Sequence, residues 1–181
     1  MNSSTSKKVS FVMSCFNAQN TISKSIDSIL DQTYKNIEIL LMDDGSTDDT
    51  YKICSDYAQK NSQIILFKNN LNIGLTKSLN ILYKESSGDF IARQDADDYS
   101  HKERIEKQLD FIAKNNLDGC TTRAEIIGTK KTIPGLSRLL PIRFVLKYKN
   151  PFIHGSLLLN KETLFNSNGY DERFFYAQDY K

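Results

Sequence analysis

Cysteine is scarce and scattered in this sequence. The three cysteines, Cys15, Cys54 and Cys120, are odd in number and far apart, with no C-x-x-C spacing and no neighbouring pair of histidines. A disulfide framework or a thiolate metal site is therefore not expected. We predict reduced cysteines that fill packing positions in a cytoplasmic protein.

Long apolar runs and an excess of one charge are also absent. Residues 1–8 are rich in Ser, Thr and Lys, and the apolar stretch that follows is too short for a signal peptide or a membrane span. The formal net charge of +2 indicates no nucleic-acid partner. We expect a soluble chain. Two alternatives stay open for Lys7 and Lys8: they contact anionic lipid at the inner face of the plasma membrane, or they belong to an ordinary solvated surface.

Three familiar ligand-binding motifs are missing. No G-x-x-x-x-G-K-[ST] loop occurs, and no G-x-G-x-x-G follows the first apolar run, which argues against P-loop ATPases and dinucleotide-binding proteins. Asp95, Asp97 and Glu106 match three positions of an EF-hand loop, but Ser100 stands where that loop needs glycine. A calcium loop is therefore not expected.

Alternating strand and helix patterns fill the first half of the chain. Apolar runs predict strands, and apolar residues at helical spacing between them predict helices. The predicted strands are 9–13, 37–42, 63–68 and 89–94, and the predicted helices are 20–31, 46–58 and 73–86. Four strand–helix units in succession are typical of an α/β fold with a mostly parallel, Rossmann-like sheet and helices on both faces.

The composition changes near residue 129. A helix over 105–112 and a strand over 119–128 are predicted first, and then 129–141 is rich in Lys, Arg, Gly and Pro, as in a loop or a crossover. We place a soft boundary there, between halves 1–128 and 129–181 of a single domain. The second half has further elements predicted at 142–147, 156–159 and 162–165, and it shows no stop signal before Lys181. We expect it to be incomplete.

Two acidic turns follow predicted strands. Asp43 and Asp44 end the second strand, and three carboxylates within residues 95–98 end the fourth. Because parallel strands end at the same edge of a sheet, both turns are expected to face one ligand. Carboxylates on a short turn suit Mg²⁺ or Mn²⁺, which complete their shells with water and phosphate oxygens. A solvated acidic turn is the simpler alternative.

Several stretches, taken in order, resemble the family 2 inverting glycosyltransferases, which have the GT-A fold. They are VSFVMSCFNA at 9–18, SILDQTY at 28–34, DDGSTD at 43–48, NIGL at 72–75 with SLN at 78–80, and ARQDADD at 92–98 with Arg104 and Gln108. The resemblance implies a site for a nucleotide-sugar donor, most often a UDP-sugar, in residues 1–128. It places Gly74 among the nucleotide-binding residues.

The same resemblance implies roles for single residues. Asp43 or Asp44 would read the nucleobase, and Phe16 and Asn17 would lie near base and ribose. Asp95 would contact the ribose or metal-bound water. The metal ligand would be Asp97, holding Mn²⁺ or Mg²⁺ against the donor diphosphate.

The C-terminal stretches NPFIHGS at 150–156, GYD at 169–171 and AQDY at 177–180 resemble the acceptor half of the family. Asp179 would be the catalytic base that takes the proton of the acceptor hydroxyl; an acid at a helix N-terminus is the alternative. His154 would contact acceptor or diphosphate, or serve structure alone. Gln178 stands where the family usually has Glu, and Gly155 where Pro often follows the His.

The function that these stretches imply is a metal-dependent inverting glycosyltransferase of bacterial surface-polysaccharide assembly. It would transfer a sugar to a glycan or a lipid-linked acceptor by single displacement. Two alternatives stay open: a sugar nucleotidyltransferase of similar fold, and a non-catalytic module that binds sugar nucleotides. Residues 17–20 offer neither the glycines nor the cations that a nucleotidyltransferase uses to hold a triphosphate.

Overall fold

The computed structural model describes residues 7–129, 131–135, 141–145, 147–148, 150, 152–167 and 169–173. Its strands are β1 (Val9–Cys15), β2 (Ile37–Asp44), β3 (Ile64–Asn69), β4 (Phe90–Arg93), β5 (Gly119–Cys120), β6 (Ala124–Glu125), β7 (Thr132–Ile133) and β8 (Leu158–Asn160). Its helices are α1 (Ile22–Leu30), α2 (Thr50–Lys60), α3 (Leu75–Glu85), α4 (Arg104–Asn115), α5 (Ile142–Val145) and α6 (Lys161–Asn166), with a 3₁₀ turn at His154–Ser156.

The main sheet has six strands in the order β3-β2-β1-β4-β8-β5. Strands β1 to β4 are parallel, whereas β8 runs antiparallel to both β4 and β5. The predicted mostly parallel α/β sheet is thus confirmed. The chain turns to opposite sides of β1 to form β2 and β4, and such a switch point opens a crevice at the carboxyl edge of a sheet.

Helices cover both faces, as predicted, because side chains along each strand point alternately to opposite faces. On one face Phe11 and Met13 of β1 pack with residues of α1, α2 and α4. On the other, Val12 of β1 packs with α3 and with Leu164 of α6. No helix in the described ranges is long and apolar enough to cross a membrane.

The predicted strand over 119–128 is wrong as a single element. It divides into β5, which joins the main sheet, and β6, which forms a separate hairpin with β7. Between them the backbone N–H of Thr122 donates to Ser156 Oγ at 2.9 Å, so this segment bonds to the 3₁₀ turn instead of continuing a strand ladder. The hairpin also places β7 inside the stretch predicted as a loop. The boundary at residue 129 stays a prediction.

Candidate active site

The two acids that end β2 differ in their surroundings. Asp44 accepts hydrogen bonds from Asn69 Nδ2 at 2.8 Å and from the backbone N–H groups of Ile73 and Gly74 at 3.0 and 2.9 Å. It therefore holds the loop that leads into α3. Asp43 is completely buried, yet neither of its carboxylate oxygens has a hydrogen-bond partner in the described part of the chain. A buried carboxylate without a donor is costly, and Asp43 therefore has acceptor capacity that no described residue uses.

The loop after β1 lies beside these acids, since Cys15 is the register partner of Asp43. Asn17 has a left-handed φ of 49°, and its Oδ1 accepts from the backbone N–H of Thr47 at 2.9 Å. Its own N–H donates to Ser46 Oγ at 3.0 Å. Asn17 thus ties the first loop to the second, while the neighbouring Phe16 leaves 47% of its surface exposed. The loop offers an aromatic face at the entrance to the crevice.

Contacts from three directions hold the acidic turn after β4. Asp95 Oδ1 accepts from Arg93 Nη2 at 2.8 Å, and the Asp95 carbonyl accepts from Ser25 Oγ of α1 at 3.0 Å. Gln94 Nε2 donates to the Asp98 carbonyl at 2.8 Å. These three hydrogen bonds tie the turn to β4 and α1.

The free carboxylates of this turn crowd one another. Asp97 is exposed and makes no side-chain hydrogen bond with the described residues. Burial and the charges of Asp95 and Asp97 together raise the pKa of Asp98 above its ordinary value. A cation would relieve this repulsion. No group of three His, Cys, Asp or Glu side chains within the described ranges could enclose a metal, so the site fits a cation that takes one or two carboxylates and draws its other ligands from water and phosphate.

Arg93 is a buried cation behind the turn. The residue is 3% exposed, and its Nε and Nη1 lack partners among the described residues. Burial lowers the pKa of Arg93, but the charge of Asp95, the neighbouring Tyr170 and Tyr83 and the hydrogen bond to Asp95 together raise it overall. The rings of Tyr83 and Tyr170 lie 5.4 Å apart beside this charge. The acid Asp95 thus connects through Arg93 to a tyrosine of the C-terminal segment.

A second buried arginine, Arg104, holds the residues on either side of the acidic turn. Arg104 donates to the Arg93 carbonyl at 2.8 Å, to Gln94 Oε1 at 2.9 Å, to Ser100 Oγ at 2.7 Å and to Gln108 Oε1 at 3.0 Å. Burial lowers its pKa to about 10, so the guanidinium stays charged at neutral pH. These contacts explain why an arginine and a glutamine at helical spacing follow the acids.

The 3₁₀ turn at 154–156 lies directly against the acids. A Cβ on Gly155 would come within 2.7 Å of Asp95 Oδ2 and 2.9 Å of Asp98 Oδ2, so any other residue would require the two carboxylates to shift. His154 bonds through Nε2 to the Tyr170 hydroxyl, and their rings meet edge to face with centroids 5.0 Å apart. The structure thus gives His154 a protein partner. The proposed base Asp179, with Gln178, lies outside the described residues.

Sequence patterns had not indicated functional roles for Arg93 and Gly155. For Arg93, the sequence signal is a charged residue inside an apolar strand, two residues before an acid. For Gly155 the sequence signal is weak, because its neighbours in space, Asp95 and Asp98, are far away in the chain.

Comparison with known proteins identifies relatives across nearly the whole chain. The sequence model of glycosyl transferase family 2 matches residues 10–172. The putative glycosyltransferase EpsE of Bacillus subtilis is 37% identical over 167 residues, covering 90% of this chain and 60% of its own length. The UDP-Glc:alpha-D-GlcNAc-diphosphoundecaprenol beta-1,3-glucosyltransferase WfgD of Escherichia coli is 33% identical over 172 residues, covering 95% of this chain and 66% of its own.

Solved structures share the fold. TarS of S. aureus, in complex with UDP, superposes with a TM-score of 0.77 at 23% identity, over 96% of this chain and 53% of its own. The mannosyltransferase PcManGT from Pyrobaculum calidifontis, in complex with GDP-Man and Mn²⁺, superposes with a TM-score of 0.72 at 18% identity. The match covers 93% of this chain and 49% of that protein. At these identities the likeness concerns the fold alone.

The chain spans 60% of the length of EpsE and about half that of TarS. Within that span the family pattern covers both acidic turns and the 3₁₀ turn against them. The chain belongs to glycosyl transferase family 2.

Proposed function

We propose that this chain forms the donor site, and part of the acceptor side, of a metal-dependent inverting glycosyltransferase. The enzyme would transfer a sugar from a UDP-sugar to a glycan or a lipid-linked acceptor. The observation that carries this proposal is the unpartnered, buried carboxylate of Asp43, at the same sheet edge as the acidic turn. The name of WfgD supports it, since that relative takes UDP-Glc and a lipid-linked acceptor.

Asp43 is the base-reading acid in this proposal, and Asp44 is not. Among the described residues, Asp44 accepts hydrogen bonds from Asn69 at the end of β3 and from the loop that ends at Gly74, so Gly74 serves the site by positioning. A carboxylate only accepts hydrogen bonds. It can accept a hydrogen bond from N3–H of uracil, whereas N3 of cytosine has a lone pair and no proton to donate. Asp43 would therefore select UDP over CDP, with Phe16 covering the base or ribose.

Asp97, with Asp95 beside it, would hold Mn²⁺ or Mg²⁺. The exposed carboxylate of Asp97 and the repulsion within the turn fit a hard divalent cation. Such a cation supplies positive charge against the donor diphosphate. Arg93 keeps Asp95 oriented, and Gly155 leaves room for the carboxylates.

Transfer needs one further group, a base. In a single displacement the acceptor oxygen forms a bond to the anomeric carbon as the bond to the diphosphate oxygen breaks, and the acceptor proton must go to a carboxylate. Asp179 is our candidate, on the resemblance of residues 177–180 to the family. We place the reaction at the cytoplasmic face of the membrane, where a lipid-linked acceptor would be presented, with the chain in peripheral contact.

The test is titration of UDP and CDP into the purified chain with Mn²⁺. The wild type is expected to prefer UDP, and Asp43→Asn should lose about ten- to a hundredfold of that preference, the cost of one unpaired buried group. Asp31→Asn, at an exposed acid beyond the end of α1, is the matched control.

A second arm tests the metal. EDTA and Asp97→Asn should each remove the metal-dependent part of UDP binding. Equal affinity of the wild type for UDP and CDP would refute the role of Asp43. Absence of binding to any nucleoside diphosphate would refute the donor site and favour a non-catalytic role.

A further inference from the structure

Positive charge is concentrated in one stretch of the chain. Residues 126–161 contain seven Lys and Arg residues and no Asp or Glu, although the whole chain carries a net charge of only +2. The rest of the chain therefore carries a net charge of −5. Such a charge asymmetry turns one part of a molecule toward an anionic partner and the remainder away from it. The residues proposed above for the donor site include none of these cations.

A short turn in this stretch exposes two aromatic rings beside two of the cations. Phe144 of α5 is 51% exposed and Tyr148, just after α5, is 73% exposed. Their rings pack together, with centroids 5.2 Å apart. Arg143 and Lys147 are also exposed, and neither forms an ion pair or a side-chain hydrogen bond with the described residues. We refer to these four residues as the aromatic and basic patch.

The backbone of the patch is hydrogen-bonded and anchored. The N–H of Lys147 donates to the Phe144 carbonyl at 3.2 Å, and the N–H of Tyr148 donates to the Val145 carbonyl at 3.0 Å. Val145 is 4% exposed and so fixes the turn to the body of the protein. The two rings thus stay at the surface while the apolar side chain between them is buried. Exposed apolar groups that are grouped in this way mark interaction surfaces.

An anionic bilayer matches both properties of the patch. Aromatic rings are favourable at the membrane interface, where the apolar body of the ring enters the headgroup region. Neighbouring Lys and Arg side chains attract acidic headgroups, and their apolar stems can lie along the same surface. A single-stranded nucleic acid also uses cations and rings, but it needs ring faces that are open for stacking. Phe144 and Tyr148 pack on each other instead.

The N-terminal lysines are less suited to this role. Lys8 Nζ donates to Glu38 at 2.7 Å and to Ser87 at 2.6 Å, and Lys7 Nζ lies 3.4 Å from Asp89. Both lysines precede β1, so they lie at the edge of the parallel strands opposite the acidic turns. A bilayer bound there would face away from the site.

The aromatic and basic patch lies closer to the site. His154, in the 3₁₀ turn against the acids, follows Tyr148 by six residues. Because an extended chain spans at most about 3.6 Å per residue, the two residues are no more than about 22 Å apart. A bilayer bound at the patch would therefore be within reach of the edge of the sheet that carries the acids.

We propose that the aromatic and basic patch binds the surface of an anionic bilayer. The rings of Phe144 and Tyr148 lie at headgroup depth, and Arg143 and Lys147 contact acidic headgroups. This inference deepens the proposed function, and it rests on that function for the link to a lipid-linked acceptor. The patch brings the acidic edge of the sheet to the bilayer in which such an acceptor is held.

The first test uses the absence of tryptophan from the chain. Tyr148→Trp introduces a single fluorescent reporter into the patch. Vesicles of phosphatidylglycerol and phosphatidylcholine in equal parts should shift its emission to shorter wavelength, and vesicles of phosphatidylcholine alone should not. Phe111→Trp is the matched control, because Phe111 of α4 is exposed to a similar extent, 52%, and lies outside the basic stretch. Its emission should not respond to either vesicle.

The second test removes charge and keeps the rings. The double variant Arg143→Gln, Lys147→Gln should weaken flotation with the anionic vesicles about thirtyfold, as expected for the loss of two cations at the membrane surface. The double variant Lys24→Gln, Lys52→Gln removes the same net charge at exposed lysines of α1 and α2 and should leave flotation unchanged. High salt should weaken flotation of the wild type.

Several outcomes would overturn the inference. They are no shift at residue 148, equal shifts with anionic and neutral vesicles, and equal losses in the two charge variants. A shift with single-stranded RNA and none with vesicles would assign the patch to nucleic acid. A shift that depends on protein concentration without vesicles would assign it to a second copy of the chain.

The vesicle measurements are made without UDP, so they do not depend on the donor site. Titration of UDP into the same variants should give the wild-type affinity. Loss of UDP binding in the wild type would overturn the proposed function, whereas loss of vesicle binding alone would overturn the lipid contact.

Discussion

Strand β2 buries an acid at each of its ends, and the two acids have opposite surroundings. Glu38, near the start, accepts four hydrogen bonds: from Lys8 Nζ at 2.7 Å, Ser10 Oγ at 2.5 Å, and Ser87 N–H and Oγ at 2.6 and 2.7 Å. Asp43, near the end, accepts none from the described residues. The chain thus satisfies one buried carboxylate fully and leaves the other without a hydrogen-bond partner among the described residues.

Under the proposed function, the difference separates a structural acid, Glu38, from a ligand-binding one, Asp43. Glu38 joins β1, β2 and the turn before β4, and its contribution is to the free energy of unfolding. Asp43 costs folding free energy as long as it is unpartnered, and such a cost is typical of binding sites. The comparison predicts opposite signs for the effect of removing each charge.

Removal of Glu38 should give the largest effect on stability. Glu38→Ala leaves the donors of Ser10 and Ser87 without their acceptor, and we expect a loss of about 3 kcal/mol in the free energy of unfolding. Urea denaturation followed by circular dichroism measures it. Glu85→Ala, at an exposed acid, should change the value by less than about 0.5 kcal/mol. A small effect of Glu38→Ala would remove the contrast between the two ends of β2.

The pH dependence of unfolding sharpens the same prediction. Burial raises the pKa of Glu38, but the hydrogen bonds from Lys8, Ser10 and Ser87 outweigh it, so the pKa lies at about 2 against 4.5 for the free side chain. Its stabilising contribution is complete above pH 4.5 and is lost as the pH falls toward 2. Between pH 4.5 and 2, the free energy of unfolding should fall less steeply for Glu38→Gln than for the wild type. An equally steep fall in the variant would mean that other acids cause it.

The contrast between these acids could be predicted only in part from the sequence. The alternation of apolar residues gave the strands β1 to β4 and their order of appearance, and the position of both acidic turns followed from it. The choice between Asp43 and Asp44 could not be predicted in this way. Two adjacent aspartates look alike in the sequence, and they differ only once residues 69–74 fold back onto Asp44.

Short elements and distant contacts account for the other errors. Strands β5 to β7 have two residues each, too few to show a period; β5 pairs with β8, β6 pairs with β7, and the link between β5 and β6 bonds to the 3₁₀ turn. Likewise, the closeness of Gly155 to Asp95 joins residues that are far apart in the chain. Local patterns contain no information about such contacts.

At the carboxyl edge of the sheet, a methyl group on Gly155 should displace the carboxylates of the acidic turn more than it destabilises the fold. Its Cβ would press on Asp95 Oδ2, and Asp95 cannot yield freely because Arg93 holds its other oxygen. Gly155→Ala should weaken Mn²⁺-dependent UDP binding about tenfold, as displaced ligand supports commonly do. Gly135→Ala is the control, since among the described residues its Cβ would meet only the Thr132 carbonyl, at 4.0 Å. Equal affinities of the two variants would show that the acids tolerate displacement.

The smallest expected effect has the opposite sign to that of Glu38. Asp43→Asn keeps the shape of the side chain but removes a buried, unpartnered charge, so we expect the free energy of unfolding to rise by about 1 kcal/mol. The same urea denaturation measures it, with Asp31→Asn expected to leave stability unchanged. A stabilised variant that binds UDP less well would show that the folded chain bears the cost of Asp43 for the sake of its ligand. A destabilised variant would mean that Asp43 is satisfied in the free protein, and that the two ends of β2 are alike.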